Sequence, residues 1–161
     1  MTISQKLFAD CYDLLNQLVE WRIFSYRQNT AGQAAGLVLE IGFGTGSNLK
    51  YYPDSVEITA LEPNLYMFKK ILDRASKSNK DVTVIQGYGE NIPFKDEVFD
   101  TVVVTLVLCM VSDVEKVVSE ITRVLKPGGK FYFYEHVSSK SYVGMRFQSF
   151  LIYFLFNIFS E

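Results

Sequence analysis

A doubly wound α/β fold, with a mostly parallel sheet covered by helices on both faces, is what this sequence predicts, and three observations carry that reading. From residue 37 onward, short apolar runs of strand length alternate with segments of helical spacing. The first run, Leu37-Val38-Leu39-Glu40-Ile41, stops abruptly in the glycine-rich Gly42-Phe43-Gly44-Thr45-Gly46. The run Thr101 to Val107 is nearly all β-branched and apolar, as suits a central strand screened from water on both sides.

Ahead of the sheet, Leu7, Phe8, Cys11, Leu14, Leu15, Leu18 and Val19 recur at intervals of three and four, on one face of an opening amphipathic helix. Small residues from Ala31 to Gly36 lead into the first strand. After the glycine turn, Ser47 to Tyr51 reads as a short helix closed by Pro53, and Val56 to Leu61 as the second strand. A helix from about Leu65 to Ala75 follows, with Tyr66, Phe68, Ile71 and Leu72 available for burial, then a strand from Val82 to Ile85. Beyond the central strand, Val114, Val117, Val118, Ile121, Val124 and Leu125 keep helical spacing; Ser112 or Asp113 can cap this helix and Pro127-Gly128-Gly129 can stop it. Phe131 to Glu135 is the fifth strand, and right-handed crossovers connect the series.

A length of 161 residues suits one domain. The 16 Lys+Arg against 18 Asp+Glu leave a net charge of -2, so no positive field draws the chain onto phosphate backbones, and nucleic acid is not an expected partner. Met1 to Phe8 lacks the basic and apolar regions of a secretory signal, and the cysteines are Cys11 and Cys109 alone, which points to a reducing, cytoplasmic setting. No paired Cys or His spacing suggests a metal. Cys109, just after the central strand, reads as a small buried hydrophobe.

In doubly wound sheets ligands lie at the carboxyl ends of the strands where the strand order reverses, and Glu40 to Gly46 occupies that point. About twenty residues on, Glu62 closes the second strand, where a carboxylate can accept hydrogen bonds from both hydroxyls of an adenosine ribose. A dinucleotide site wants Gly-x-Gly-x-x-Gly, whose third glycine lets a helix pack close to a pyrophosphate. Here the spacing is Gly42-x-Gly44-x-Gly46 followed by Ser47, and Glu40 just before it would repel a pyrophosphate while favouring an ammonium and a sulfonium.

Leu37 to Gly46 resembles the first motif of class I S-adenosylmethionine-dependent methyltransferases, and further motifs follow in order. Glu62-Pro63-Asn64 resembles the family's acidic end of strand two. Gly89-Glu90-Asn91-Ile92-Pro93-Phe94 with Phe99-Asp100 resembles its adenine-side segment, and Arg123 to Gly129 its signature before strand five. Within the family, Asn48-Leu49, Tyr52-Pro53, Thr105 to Cys109 and Glu135-His136-Val137 are most similar to thiol methyltransferases and bacterial phospholipid N-methyltransferases. The resemblance implies a Rossmann-like fold in a single domain, 1–161, with an N-terminal helical lid over 1–30, a cofactor-binding core over 37–136 and an apolar C-terminal helix over 140–161. It implies S-adenosyl-L-methionine as cofactor. Gly42, Phe43, Gly44 and Gly46, with Asn48, would hug the donor, Glu40 would lie near its methionine end, and Glu62 with Pro63 would hold the ribose. Gly89, Glu90 and Asn91 would border the adenine, and Thr105 and Leu106 would offer carbonyls to its amino group. Where many relatives carry an acidic residue this chain has Tyr88, which leaves adenine recognition to backbone groups or ring stacking.

His136, just beyond strand five on the rim where an acceptor would sit, could take a proton or orient a nucleophile; a hydrogen-bonded structural role is the competing reading. Tyr12 and Asp13 either fold over the cofactor or belong to an amphipathic surface. Phe147 to Phe159 is apolar and uncharged but shorter than the roughly twenty residues a membrane-spanning helix requires. It would pack beside strand five, line an acceptor pocket, or give peripheral membrane contact and self-association. The family's fold carries two further strands after such a helix, so the chain reads as truncated. The expected function is methyl transfer to a small-molecule acceptor, a thiol, an amine or a lipid-like molecule. A non-catalytic binding or scaffold domain is the alternative.

Overall fold

A computed structural model describes residues 21–135; the opening helix, Tyr12 and Asp13, His136 and the segment 140–161 lie outside the described residues. Residues 21–29 are helical, in the element called α1. It is followed by β1 (Leu37–Ile41), β2 (Glu57–Glu62), α2 (Leu65–Ser76), β3 (Asp81–Gln86), β4 (Phe99–Thr105), α3 (Val114–Val124) and β5 (Leu125–Tyr134), with 3-10 turns at Ala31–Gln33 and Leu49–Tyr51. Among the described residues the five strands form one sheet in the order β3-β2-β1-β4-β5, and every pairing is parallel. The doubly wound sheet that the sequence predicts is the fold found. The order reverses between β1 and β4, which opens a crevice at their carboxyl ends.

Strand alternation sorts the core into two layers. Val38, Ile58, Ala60 and Val103 face one side and pack with Met67 and Ile71 of α2, Phe43, Leu49 and Tyr52. Leu39, Ile41, Leu61, Val102 and Val104 face the other and pack with Val117, Ile121 and Val124 of α3. Asn64 caps α2 by accepting from the Tyr66 amide at 3.0 Å, and Asp113 caps α3 by accepting from the Lys116 amide at 3.0 Å. In α2 the buried residues are Met67 and Ile71, whereas Leu72 is exposed and Tyr66 and Phe68 are half-buried, because the helix turns a narrower stripe to the sheet than the apolar spacing allows.

Three boundaries differ from the sequence expectation. Ser47 to Tyr51 forms only a 3-10 turn, and Asn48 at its start makes no side-chain cap, because its amide is turned inward to Glu40 and Thr105. Strand β4 stops at Thr105, since Leu106 takes a left-handed φ of 58° that cannot continue a strand. Helix α3 ends at Val124 and β5 begins at once. Pro127-Gly128-Gly129 therefore does not stop the helix but forms a bulge in the strand, where the register steps from Phe99↔Leu125 to Thr101↔Lys130.

Candidate cofactor site

A cavity of about 390 Å³ lies at the carboxyl ends of β1, β2 and β4, with Ile41 and Met67 in its lining and four further parts to its wall. They are the glycine turn (Gly42, Gly44), the end of β2 (Glu62, Pro63, Asn64), the segment Gly87 to Glu90, and the segment after β4 (Leu106, Val107, Met110, Val111, Ser112). The volume falls in the range of small-molecule sites.

The glycine turn is held from below. Gly42 takes a φ of 68° and Gly44 one of 59°, conformations disfavoured for any residue with a side chain. The Gly42 amide donates to the Leu61 carbonyl at 2.8 Å. A Cβ on Gly42 would sit 2.4 Å from Cγ2 of Val107, so the room left by the missing side chain is filled partly by Val107. Phe43 is buried in the core. Gly46, also at positive φ, lies against the Phe43 ring. From α2, Arg74 reaches over to donate to both the Thr45 carbonyl at 2.9 Å and its hydroxyl at 3.0 Å.

Glu62 faces this turn. Its Oε2 accepts from the Gly44 amide at 2.8 Å and its Oε1 from the Asn64 amide at 2.9 Å. Burial raises the Glu62 pKa above the usual carboxylate value, and those two amide bonds oppose the rise only in part. Each oxygen keeps lone-pair capacity toward the cavity that the residue lines.

Glu40 and Asn48 are not on the cavity wall; both lie beneath the turn, 1% exposed. Glu40 accepts from Asn48 Nδ2 at 2.7 Å and from the Tyr52 hydroxyl at 2.7 Å. Asn48 also donates to the Thr105 hydroxyl at 2.6 Å and accepts from the Arg27 guanidinium of α1. Burial pushes the Glu40 pKa up to about 7 against these hydrogen bonds and the Arg27 charge. Thr105 turns its side chain into this buried network, while its neighbour Leu106 lines the cavity.

The opposite wall hangs from α3. Gly89 fits where a Cβ would press on Ile41 at 3.1 Å and Val117 at 3.3 Å. Glu90 accepts from both the amide and the hydroxyl of Ser112 at 2.9 Å, tying the two segments across the mouth of the cavity. Asn91 pairs with Tyr88 in an isolated bridge off the wall. Tyr88 lines the cavity and is 64% exposed. Behind this wall Arg123 donates to the carbonyls of Phe94 at 2.7 Å and Ile92 at 3.0 Å, and pairs with Glu120 and Asp96.

After β4, the Leu106 amide donates to the Tyr134 carbonyl at 2.8 Å, and the amides of Val107 and Leu108 donate to Glu135 Oε1 at 2.7 and 2.9 Å. Cys109 is exposed on this turn and not buried as its type suggested. Met110 and Val111 join the wall without any sequence signal, since loop residues of this kind carry no periodicity, and Val107 and Ser112 join it though the sequence marked them for a strand and a helix cap. Among the described residues no helix is long and apolar enough to cross a membrane, and no three or more of His, Cys, Asp and Glu gather as metal ligands.

Residues 39–133 match the family model described as a methyltransferase domain. The chain is 41% identical over 123 residues to a thiol S-methyltransferase of Homo sapiens, covering 73% of this chain and 50% of that protein. It is 44% identical over 105 residues to a thiol S-methyltransferase of Rattus norvegicus, covering 63% and 43% respectively. The chain thus spans about half the length of these curated relatives. Among solved structures, an SAM-dependent methyltransferase of Thermotoga maritima superposes with a TM-score of 0.72 at 27% identity, over 96% of this chain and 70% of that one.

Proposed function

Since this chain belongs to the class I S-adenosylmethionine-dependent methyltransferases, we propose that it transfers a methyl group from S-adenosylmethionine to a small, apolar thiol. The observation that carries the proposal is Glu62, nearly buried yet lining the cavity, with its carboxylate fixed by the Gly44 amide. The residues present fit the donor: a carboxylate with free lone pairs suits a ribose diol, and the glycine turn brings bare backbone to the cavity wall. Glu62 would hold the ribose, the backbone from Gly42 to Gly44 the methionine end, and Gly89 and Tyr88 the adenine.

When bound, the donor supplies an electrophilic methyl group on a sulfonium. The chain's own residues bind, orient and exclude water. Leu106, Val107, Met110 and Val111 give the cavity an apolar wall that suits an apolar acceptor. Methyl transfer is an in-line displacement that gains chiefly from positioning and from keeping water out. A thiol with a pKa near 8.5 is partly ionised at neutral pH, so such an acceptor does not require a dedicated base. The relatives at 41% and 44% identity are named as thiol S-methyltransferases, which favours a thiol over an amine or lipid-like acceptor. They are named for transfer activity, which lends no support to a non-catalytic domain.

Calorimetry with S-adenosylhomocysteine, followed by incubation with methyl-labelled donor and thiophenol or benzylamine, tests the proposal. Binding and labelling of the thiol in preference to the amine is expected. Folded protein that binds no S-adenosylhomocysteine would reject the donor, and labelling of the amine alone would reject the thiol.

A further inference from the structure

We propose that Glu135 is a positioning residue for the acceptor, holding the segment from Leu106 to Val111 in the conformation that forms the apolar wall of the cavity. This rests on the methyltransferase reading above. The segment follows β4 directly, and its first residue, Leu106, sits at a φ of 58°, a region that residues with a branched side chain avoid. A strained residue persists only where its surroundings over-determine it. Here the surroundings are specific. The Leu106 amide is held by the Tyr134 carbonyl, and the next two amides, of Val107 and Leu108, both donate to one oxygen of Glu135 at 2.7 and 2.9 Å. Two successive main-chain donors converging on one oxygen fix the orientation of both peptide units.

The consequence reaches the cavity through side chains. With its amide fixed, Val107 rests its methyl groups over Gly42 at the base of the glycine turn, and its carbonyl accepts from the Met110 amide at 2.8 Å, which closes the turn carrying Met110 and Val111 into the wall. At the far end Ser112 is tied to Glu90. Glu135 does not itself line the cavity, so its effect on an acceptor is indirect. Its Oε2 is buried and has no hydrogen-bond partner among the described residues, so the Oε1 bonds to Val107 and Leu108 are those by which it acts on this segment. An amide side chain, which keeps an accepting oxygen, should therefore serve nearly as well as the carboxylate.

The full chain is tested as wild type, Glu135→Gln, Glu135→Asp and Glu135→Ala, the aspartate being one methylene shorter and so unable to reach both amides. Three quantities are read: the Kd for S-adenosylhomocysteine, the KM and kcat for thiophenol, and hydrogen exchange of the Val107 and Leu108 amides with Val103 as internal reference. Glu135→Gln should stay within about threefold of wild type in all of them. Glu135→Ala and Glu135→Asp should raise the thiol KM about tenfold and speed exchange at Val107 and Leu108 at least tenfold. The Kd for S-adenosylhomocysteine should stay within about threefold and Val103 should remain unchanged. An unchanged KM in Glu135→Asp, or loss of S-adenosylhomocysteine binding in parallel with KM, overturns the proposal. Wild type that binds no S-adenosylhomocysteine would instead sink the methyltransferase reading, and the exchange ratio would still decide whether Glu135 clamps the segment.

Discussion

The amide of Gly44 and the carboxylate of Glu62 are joined at 2.8 Å, so the turn after β1 and the end of β2 form one unit. A side chain that anchors a ribose here also fixes the shape of the turn, and the two roles cannot be removed separately. Glu62→Ala should therefore raise the Kd for S-adenosylhomocysteine by at least about 30-fold, as the loss of one charged hydrogen bond of roughly 2 kcal/mol implies. Calorimetry at neutral pH measures this; a Kd within threefold of wild type would exclude Glu62 from the site.

Binding should also depend on pH. Burial raises the folded-state pKa of Glu62 above the ordinary carboxylate value, and in the proposed site the ionised form, with all its lone pairs free to accept, would hold both ribose hydroxyls better than the protonated one. Affinity should rise with pH through that pKa and level off above it, with protons released on binding in the rising range. Titrations in two buffers of different ionisation enthalpy read the proton release directly, and uptake in place of release would contradict the assignment.

Glu40 titrates in the folded chain at about 7, raised from an unfolded value of 4.5. Between those two values the folded state holds the extra proton, so Glu40 favours folding fully below pH 4.5 and loses that contribution as pH rises to about 7. Over this window it should remove about 3 kcal/mol of unfolding free energy. Denaturant melts at both ends of the window should show a decline that is smaller in Glu40→Gln than in wild type by that amount, the remainder including the raised Glu62.

Gly42→Ala should destabilise the chain by roughly 2 to 4 kcal/mol, from a left-handed alanine together with overpacking. The overpacking arises because the new Cβ would lie 2.4 Å from Val107. Val107→Ala in the same background should recover the steric part and leave the conformational part, so the two changes should be non-additive in a double-mutant cycle. Strict additivity would show that Val107 relaxes without cost.

The sheet was legible because its evidence is periodic. The apolar run Leu37 to Ile41, the helical spacing from Val114 to Val124 and the β-branched run before Thr105 each state their burial in the order of residue types. The site was legible where backbone demands a residue type, as at Gly42 and Gly44, where a carboxylate ends a strand, as at Glu62, and where motif resemblance pointed to Pro63, Gly89, Glu90 and Leu106, all of which line the cavity. Glu40 and Asn48 belonged to the same motif, yet their side chains turn into the core, a direction the one-dimensional pattern does not contain. Arg74 and Glu135 were not singled out as site residues, because each acts through a main-chain partner 27 to 29 positions distant. Pro127 to Gly129 carried a genuine breaking signal, but in the fold it bends a strand instead of ending a helix.

Arg123 grips Ile92 and Phe94 by their carbonyl oxygens and stands outside the cavity wall. What it supports is a shape, held through main-chain oxygens, and a change at 123 that removes the guanidinium removes both grips at once. A screen of random variants scored only by ligand retention would thus return position 123 among its hits, and a map drawn from such hits would extend the apparent pocket past its true border.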